Sequence, residues 1–328
     1  MPPKPSDIQE IEDRDCICII SSGFQGHGKT HATKQLILQY LERHQNRMVI
    51  VFDPKNEDIW HSYNTLYFNV WEVMGRQKLI EKLKPGQIPP PPTKSEITLM
   101  KMVDLTGKPA HSRIRRIVPL CPDGTLMNSQ QKRATLLCIA NNFRRGLVFA
   151  EDVNDYIKNF ESEEVEKVFK TIRHTSSDWI IHMQSLSPMR PIHYEAVTMI
   201  RMHFSTTTAD KIAEKLDDMY EIVKIGQLII QEVYRYHKRF HKKDPKHYLY
   251  KSYHVYIHRL DNKITNCTQN QFVKACYQYL SSNKFVIRDL EYKIANENNR
   301  EHPIPSDTEN ARHQWIQDRI KMGMWALK

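Results

Sequence analysis

Apolar residues of this chain fall into short unbroken runs that alternate with segments of helical spacing. Short apolar runs are typical of strands that are buried on both faces of a parallel sheet. We predict strands at the apolar runs 16–20, 48–52 and 147–150, and at the segments 113–120, 179–183 and 198–204, which polar residues interrupt. Apolar residues three and four positions apart predict helices at 30–44, 125–145 and 161–173. Because strands and helices alternate, we expect an α/β fold with a mostly parallel central sheet flanked by helices.

The chain also divides by composition. Residues 1–15 are proline-rich and charged, which predicts a flexible lead-in, and we expect one core domain over 16–265. Within this core, 58–112 holds aromatic residues, a short helical pattern and four consecutive prolines at 89–92, which predict an insertion or lid with a stiffened loop. The polar residues 266–328 have helical spacing and predict a helical C-terminal extension.

The second half of the core has a less regular pattern. A long helix is predicted from Asp210 to His241, with Gly226 as the candidate position of a break. Alternating residues at 253–257 predict an edge strand, and Asp261-Asn262 suits a hairpin turn after it.

The most specific motif lies between the first predicted strand and the first predicted helix. Residues 23–30 read GFQGHGKT and fit G-x-x-x-x-G-K-[ST] at every fixed position. Glycines let backbone N–H groups turn towards phosphate oxygens, and the helix that follows points its positive end at them. The motif predicts ATP and Mg²⁺, with Lys29 reaching the β- and γ-phosphates and Thr30 holding the metal ion.

The predicted nucleotide-binding residues are Gly23, Gln25, Gly26, His27, Gly28, Lys29, Thr30 and His31. Neither His27 nor His31 has cysteine or acidic partners at ligand spacing. We therefore interpret both imidazoles as loop and helix-surface side chains rather than as metal ligands.

Hydrolysis of a nucleotide also needs a metal shell and a group that polarises water. Glu151 and Asp152 follow the fourth predicted strand, and Gln184 follows the fifth. Because ligands bind at the carboxyl edge of a parallel sheet, we expect all three side chains at one site. By position Glu151 joins Thr30 at the metal, Asp152 acts as the base, and Gln184 senses the γ-phosphate or orients water. The alternative interpretation is that these are ordinary solvated residues at strand ends.

Charge and composition favour a protein with an anionic partner in a reduced setting. The formal net charge is +10, which favours an anionic partner such as nucleic acid. No apolar run approaches the length that spans a bilayer, and the first residues lack the apolar core of a signal peptide. The six cysteines are scattered without paired zinc spacing, so we expect a reduced, cytoplasmic setting.

With these motifs the chain resembles the FtsK/HerA group of RecA-like P-loop ATPases, which pump DNA. Residues 23–30 match Walker A, and VFDPK at 51–55 is similar to the strand-two motif of coupling proteins. LVFAEDVND at 147–155 resembles the Walker B strand, and 168–185 resembles the helix, turn and strand that end in the family's glutamine. The resemblance implies a RecA-like ATPase core and sequence-independent binding of DNA.

The resemblance also implies an assembly. Arg173, eleven residues before Gln184, matches an arginine that acts on the nucleotide of a neighbouring subunit. Such an arginine requires a homo-oligomeric ring, which we expect to be a hexamer. Arg144, Arg145 and Arg190 are competing candidates. A helix-end cation near the negative end of the helix dipole is the alternative interpretation of Arg173.

One position departs from the family's pattern. The family usually has Asp then Glu at the Walker B tip, whereas this chain has Glu151 then Asp152. Because Asp is one methylene shorter, either the attacking water lies closer to Asp152 or the two acids exchange roles.

A basic segment follows further along the chain. Residues 235–246 interleave Lys and Arg with aromatic rings, which is typical of binding to a nucleic acid strand without sequence preference. A solvated helix face whose aromatic rings pack inwards explains the pattern as well.

The resemblance is greatest to viral genome-packaging ATPases, because the sequence shows no membrane anchor and no added winged-helix domain. We expect a host-cytoplasmic or virion-associated protein that docks on a capsid or a membrane vertex. A DNA-transfer motor of conjugation or a mobile element is the first alternative. A P-loop switch that does not translocate DNA is the second.

Overall fold

The structure is a computed structural model that describes residues 16–24, 26–102, 109–157, 163–174, 176–240 and 252–326. The chain separates into two compact units. Unit 1 contains the described residues up to Ser21 and then Lys29–Val197. Unit 2 contains Ser22–Gly28 and the described residues from Thr198 onwards.

Unit 1 contains six strands, and β1 is counted among them although its last residue falls in unit 2. The strands are β1 (Cys18–Ser22), β2 (Met48–Phe52), β3 (Asn64–Thr65), β4 (Ile114–Ile117), β5 (Gly146–Ala150) and β6 (Asp178–Met183). Their order in the sheet is β3-β4-β2-β5-β6-β1. The pairs β3/β4, β4/β2, β2/β5 and β5/β6 are parallel. All residues of β2, β5 and β6 are buried, as continuous apolar runs require.

The helices of unit 1 are α1 (Lys29–Arg43), α2 (Val70–Glu81), α3 (Lys94–Met100), α4 (Ser129–Asn142), α5 (Glu163–Arg173) and the short α6 (Pro191–Tyr194). Helix α4 contacts α2, α3 and α5. Helix α1 packs Ile37 and Leu41 against Val49 and Val51 of β2. This packing fixes the helix that carries Lys29 and Thr30 on the sheet.

A buried arginine holds the far end of α1. The guanidinium of Arg113 donates to the carbonyl oxygens of Leu41 at 2.8 Å and His44 at 2.7 Å. The last carbonyls of a helix lack partners within it, and a cation there also complements the helix dipole. The C-terminal end of α1 is therefore anchored as well as its apolar face.

Unit 2 contains three antiparallel strands in the order β7 (Met199–His203), β8 (His254–His258) and β9 (Lys263–Thr265). Its helices are α7 (Ala213–Leu216), α8 (Tyr220–Phe240), α9 (Gln269–Ser282), α10 (Phe285–Glu297) and α11 (Pro305–Lys321). The Glu221 carboxylate of α8 pairs with Arg319 of α11 at 2.9 Å. None of the described helices is both long enough and apolar enough to cross a bilayer.

The predicted fold class is confirmed: strands and helices alternate around a mostly parallel sheet, and the C-terminal residues are helical. Each of the six predicted strands is present, within one to three residues of its expected ends. Residues 58–112 contain β3, α2 and α3. Trp60 is nevertheless fully buried in the core that α1, β2 and β5 form, so the start of this segment is part of the domain core.

Two predictions in unit 2 were wrong. The expected break near Gly226 is absent, because α8 continues through that residue, and the chain turns instead at Asp217, whose φ is 46°. Gly226 is a contact position: a Cβ there would lie 3.1 Å from Ile257 Cδ1, so its absence lets β8 pack closely on α8. The strand β8 is not an edge, because β7 and β9 pair with its two sides.

Candidate functional site

The glycine turn of the motif is packed against its own unit. Gly23 has a φ of 152°, and a Cβ there would lie 2.5 Å from the Cβ of His203. Gly28 has a φ of 70°, in the left-handed region that disfavours other residues, and a Cβ there would lie 2.9 Å from Ser252. Both glycines are therefore required by space and by backbone conformation. The predicted residue Gln25 lies outside the described residues.

The turn also carries aromatic side chains. The backbone N–H of Phe24 donates to the carbonyl of Phe204 at 3.1 Å. The His27 imidazole stacks on the Phe204 ring with 5.8 Å between centroids, and Phe204 stacks on Tyr234 at 3.8 Å. His27 thus lies in the loop, as expected, and is half-buried in an aromatic stack. His31 is exposed on α1, 3.3 Å from the Gln35 amide.

In unit 1, α1 begins with the last two residues of the motif. Lys29 is only 5% exposed. The hydroxyl of Thr30 donates to Oε1 of Glu151, the first residue after β5, at 2.5 Å. The structure therefore brings together the two residues that the sequence predicts as metal ligands, although 121 positions separate them.

The carboxylate of Glu151 is only 1% exposed and has two further neighbours. The indole N–H of Trp60 donates to Oε2 at 3.0 Å, and Nδ1 of His182 lies 3.7 Å from Oε1. His182 is held from its other side, where Nε2 hydrogen-bonds the Thr33 hydroxyl at 2.7 Å. Burial raises the pKa of Glu151, while the hydrogen bonds from Thr30 and Trp60 lower it.

Asp152 has different surroundings. Its carboxylate hydrogen-bonds the ammonium of Lys55, which also pairs with Asp155 at 2.9 Å. Burial alone would lower the pKa of Lys55, but the hydrogen bonds and charges of the two aspartates raise it, so the ammonium stays charged. The backbone of Asp152 is left-handed, with φ 40° and ψ 54°, a conformation that Asp and Asn tolerate better than most residues.

Gln184 lies directly after β6 and next to these acids. Its backbone N–H donates to the Asn154 side chain at 2.7 Å, and its side-chain amide lies 3.3 Å from an Asp155 oxygen. The structure thus joins Asp152 and Gln184 through Lys55 and Asp155 into one polar cluster. Gln184 is half-buried, so its amide has access to solvent.

A further acid lies in this region. The carboxyl of Glu57, in the loop that follows β2, is partly buried and faces Glu151, Asp152 and Asp53. Burial and these three negative charges raise the pKa of Glu57 to about 7. The sequence contains Glu57 at the predicted carboxyl edge, but nothing in the pattern indicates its altered pKa.

The candidate trans arginines differ in their surroundings. Arg173 is the last residue of α5, and its side chain lies outside the described part of the structure. Arg144 donates to three backbone carbonyls at the end of α4, those of Ala140, Asn141 and Phe143. Arg190 pairs with Glu166 at 3.1 Å, and Arg145 has a φ of 58°. Arg144 thus has a role in ending its own helix.

The described part of the basic segment forms the end of α8. Arg235, Tyr236, Lys238 and Arg239 are exposed, whereas Tyr234 packs on Phe204. Residues 241–246 lie outside the described residues. Part of the segment thus presents charge to solvent, while the aromatic ring directly before it packs inwards.

Two residues at this site were not predicted from the sequence. Trp60 lies in a segment interpreted as an insertion, and His182 is inside the apolar run of β6. A polar residue within a strand that is otherwise apolar was the available signal for His182. No pattern in the sequence indicates that the Trp60 indole reaches Glu151.

The donor set fits a magnesium ion. Mg²⁺ prefers oxygen ligands and is bound through few protein groups, and the Thr30 hydroxyl and the Glu151 carboxylate are both oxygen donors at one point. Among the described residues there is no group of three or more His, Cys, Asp or Glu side chains that could hold a metal ion. Lys55, Asp152, Asp155 and Gln184 lie beside this point, where they can hold and polarise water.

No protein-family model and no curated protein matches the chain. Similar solved structures include the genome packaging NTPase B204 from Sulfolobus turreted icosahedral virus 2 in complex with sulfate, at 11% identity over 64% of this chain and 86% of that chain, with a TM-score of 0.40. The complex of B204 with ATP-gammaS is 10% identical over 76% of this chain and 95% of that chain, with a TM-score of 0.42.

These structural neighbours are of the kind that the sequence resembles, a viral genome-packaging NTPase.

Relative to the wild type, the variant Glu57→Gln should be more stable at pH 8 than it is at pH 5. The folded pKa of Glu57 is raised from 4.5 to about 7, so between these values the folded state binds a proton that the unfolded state has lost. Wild-type stability therefore falls as the pH rises through about 7, and a neutral glutamine does not show this loss. We expect about 1 kcal/mol, since solvent screens this partly exposed group.

Denaturant unfolding at the two pH values measures this difference. Glu42→Gln, on the exposed side of α1, is the matched control and should show no such change. An equal response of both variants to pH would contradict the assignment to Glu57.

Proposed function

We propose that this chain binds ATP with Mg²⁺ and hydrolyses it. The observation that supports this most directly is the 2.5 Å contact between the hydroxyl of the motif's Thr30 and the carboxylate of Glu151 at the tip of β5. A P-loop NTPase uses this pair of groups to hold magnesium next to the phosphates. The pair of Thr30 and Glu151 lies beside a polar cluster that can act on water.

Each residue has a role in this proposal. Lys29, at the start of α1, neutralises the β- and γ-phosphates, and Thr30 and Glu151 hold the metal ion. Magnesium, when bound, neutralises charge that develops on the transferred phosphoryl group. Asp152 accepts the proton of the attacking water, and Gln184 orients that water or contacts the γ-phosphate.

The surroundings of the two acids support this division. Glu151 is buried and hydrogen-bonded to Thr30, so it is the acid in position for the metal. Asp152 is next to Lys55 and in one cluster with Gln184, so it is the acid in position for water. The reversed order of the acids therefore keeps both functions, with the shorter side chain on the water side.

We further propose that hydrolysis drives movement of DNA by a homo-oligomeric ring, with packaging of a viral genome as the process. The sequence resemblance and the net charge of +10 support DNA as the partner. The exposed cations at the end of α8 are the candidate contact with its backbone. A capsid or a membrane vertex is the proposed docking partner of the ring.

Lys29→Ala should abolish binding of ATP, whereas Asp152→Asn should leave binding intact and slow hydrolysis by about 100-fold or more. The first change removes the cation that faces the phosphates, and the second removes a general base. Binding of a fluorescent ATP analogue and release of phosphate measure the two effects. Asp123→Asn, in an exposed loop, is the control. Full hydrolysis by Asp152→Asn would exclude Asp152 as the base.

Added DNA should raise the rate of steady-state ATP hydrolysis, and reversal of charge at Arg235, Lys238 and Arg239 should remove most of this increase. Three lost phosphate contacts should also lower the slope of DNA affinity against salt by up to about three. The matched control reverses three exposed cations at α10: Lys284, which directly precedes the helix, and Arg288 and Lys293 within it.

The outcomes of this experiment separate the functions. An unchanged DNA response in the α8 variant would exclude this helix end as the contact. Hydrolysis without any response to DNA would favour a nucleotide switch over a motor.

Arg173→Ala chains mixed with Lys29→Ala chains should hydrolyse ATP faster than either chain alone. At some interfaces of a mixed ring an intact motif meets an intact Arg173, and a trans arginine contributes about 10³-fold or more to the rate. Arg144→Ala is the control for Arg173→Ala, since Arg144 ends α4. Equal recovery with both arginine variants, or recovery with neither, would contradict the trans role of Arg173.

A further inference from the structure

Trp60 ends the short 3-10 turn Asp58–Trp60, which follows the loop after β2. Its side chain is fully buried, and its indole N–H donates to Oε2 of Glu151 at 3.0 Å. The other carboxylate oxygen, Oε1, accepts from the Thr30 hydroxyl at 2.5 Å. The two oxygens of one carboxylate thus have separate donors from separate elements.

We propose that Trp60 is a positioning residue of the magnesium site, which fixes the Glu151 carboxylate so that Oε1 stays with Thr30. This inference rests on the proposed ATP hydrolysis and adds a residue to its site. Groups that orient a metal ligand without touching the metal commonly change its affinity by about 10- to 100-fold when they are lost. Trp60 has this relation to Glu151.

The packing of the indole supports a fixed donor. The Trp60 ring lies 5.3 Å from the Phe149 ring of β5 and 6.1 Å from the Tyr63 ring, between centroids. Both neighbours belong to the same buried cluster as Ile37 and Leu41 of α1. A side chain that is surrounded in this way cannot rotate away without opening the core.

Because Glu151 is buried, its carboxylate depends on the hydrogen bond from the Trp60 indole. The residue is 1% exposed, so water cannot readily replace a lost hydrogen bond at Oε2. Without the indole N–H, the carboxylate is free to rotate about its last bond and move Oε1 from Thr30. Loss of the indole N–H is therefore expected to weaken the binding of magnesium and to leave the binding of nucleotide without magnesium unchanged.

The chain provides a matched control for loss of a buried indole. Trp179 in β6 is 1% exposed, and its indole nitrogen has no hydrogen-bond partner within the described part of the chain. Trp60→Phe and Trp179→Phe therefore both remove ring volume from the core, but only Trp60→Phe removes a hydrogen bond to Glu151.

The experiment measures binding of a fluorescent ATP analogue without magnesium, and hydrolysis as magnesium is varied. Trp60→Phe should raise the magnesium concentration for half-maximal hydrolysis by about 10-fold or more. Excess magnesium should restore the maximal rate, and binding without magnesium should stay unchanged. Trp179→Phe should resemble the wild type in all three measurements.

A spectroscopic readout tests the contact without any reaction. In a ¹⁵N-labelled, nucleotide-free chain, the Trp60 indole signal is the one absent from Trp60→Phe. Glu151→Gln should shift this signal and leave the Trp179 signal in place, because of these two tryptophans only Trp60 donates to residue 151.

Each outcome bears on the inference. Equal magnesium dependence of the two tryptophan variants, or a Trp60 signal that Glu151→Gln does not move, overturns the positioning role while ATP hydrolysis stands. A defect that excess magnesium cannot restore also overturns it, because it indicates general damage to the core. A wild-type chain that binds no magnesium nucleotide overturns the inference and the proposed function together.

Discussion

The contact on which the site depends is the pairing of a buried carboxylate with donors from two different elements. A carboxylate that is 1% exposed, as in Glu151, is costly unless its oxygens accept hydrogen bonds. Thr30 at the start of α1 and Trp60 after β2 supply them, and His182 of β6 lies nearby. Because this one carboxylate needs both hydrogen bonds, the positions of α1, β5 and the 3-10 turn are mutually constrained.

The loop after β2 does more than connect two strands, because its side chains contact the acids of the site. Lys55 in this loop pairs with Asp152 and Asp155, and Trp60 at its end donates to Glu151. One short segment therefore contacts both acids at the tip of β5 through different chemistry, an ammonium for one and an indole for the other. This gives two adjacent acids distinct surroundings, which separate roles in catalysis require.

Much of the fold follows from local patterns, whereas the details of the site depend on long-range packing. The unbroken apolar runs of β2 and β5 and the mostly apolar run of β6 predict central strands, and the motif at 23–30 predicts the position of α1. The role of Gly226 as a contact position inside α8 was not predictable, since it depends on the packing of β8 on α8. The contact of Trp60 with Glu151 joins residues 91 positions apart, a separation at which spacing rules carry no information.

The backbone at Asp152 limits which residues the chain can use there. Its left-handed conformation is accessible to Gly, Asn and Asp but is strained for residues with longer side chains. Lengthening the shorter acid to glutamate would place a longer side chain in this left-handed conformation, at a cost of about 1–2 kcal/mol. The main chain at the tip of β5 therefore favours aspartate over glutamate at position 152, whichever of the two would reach further.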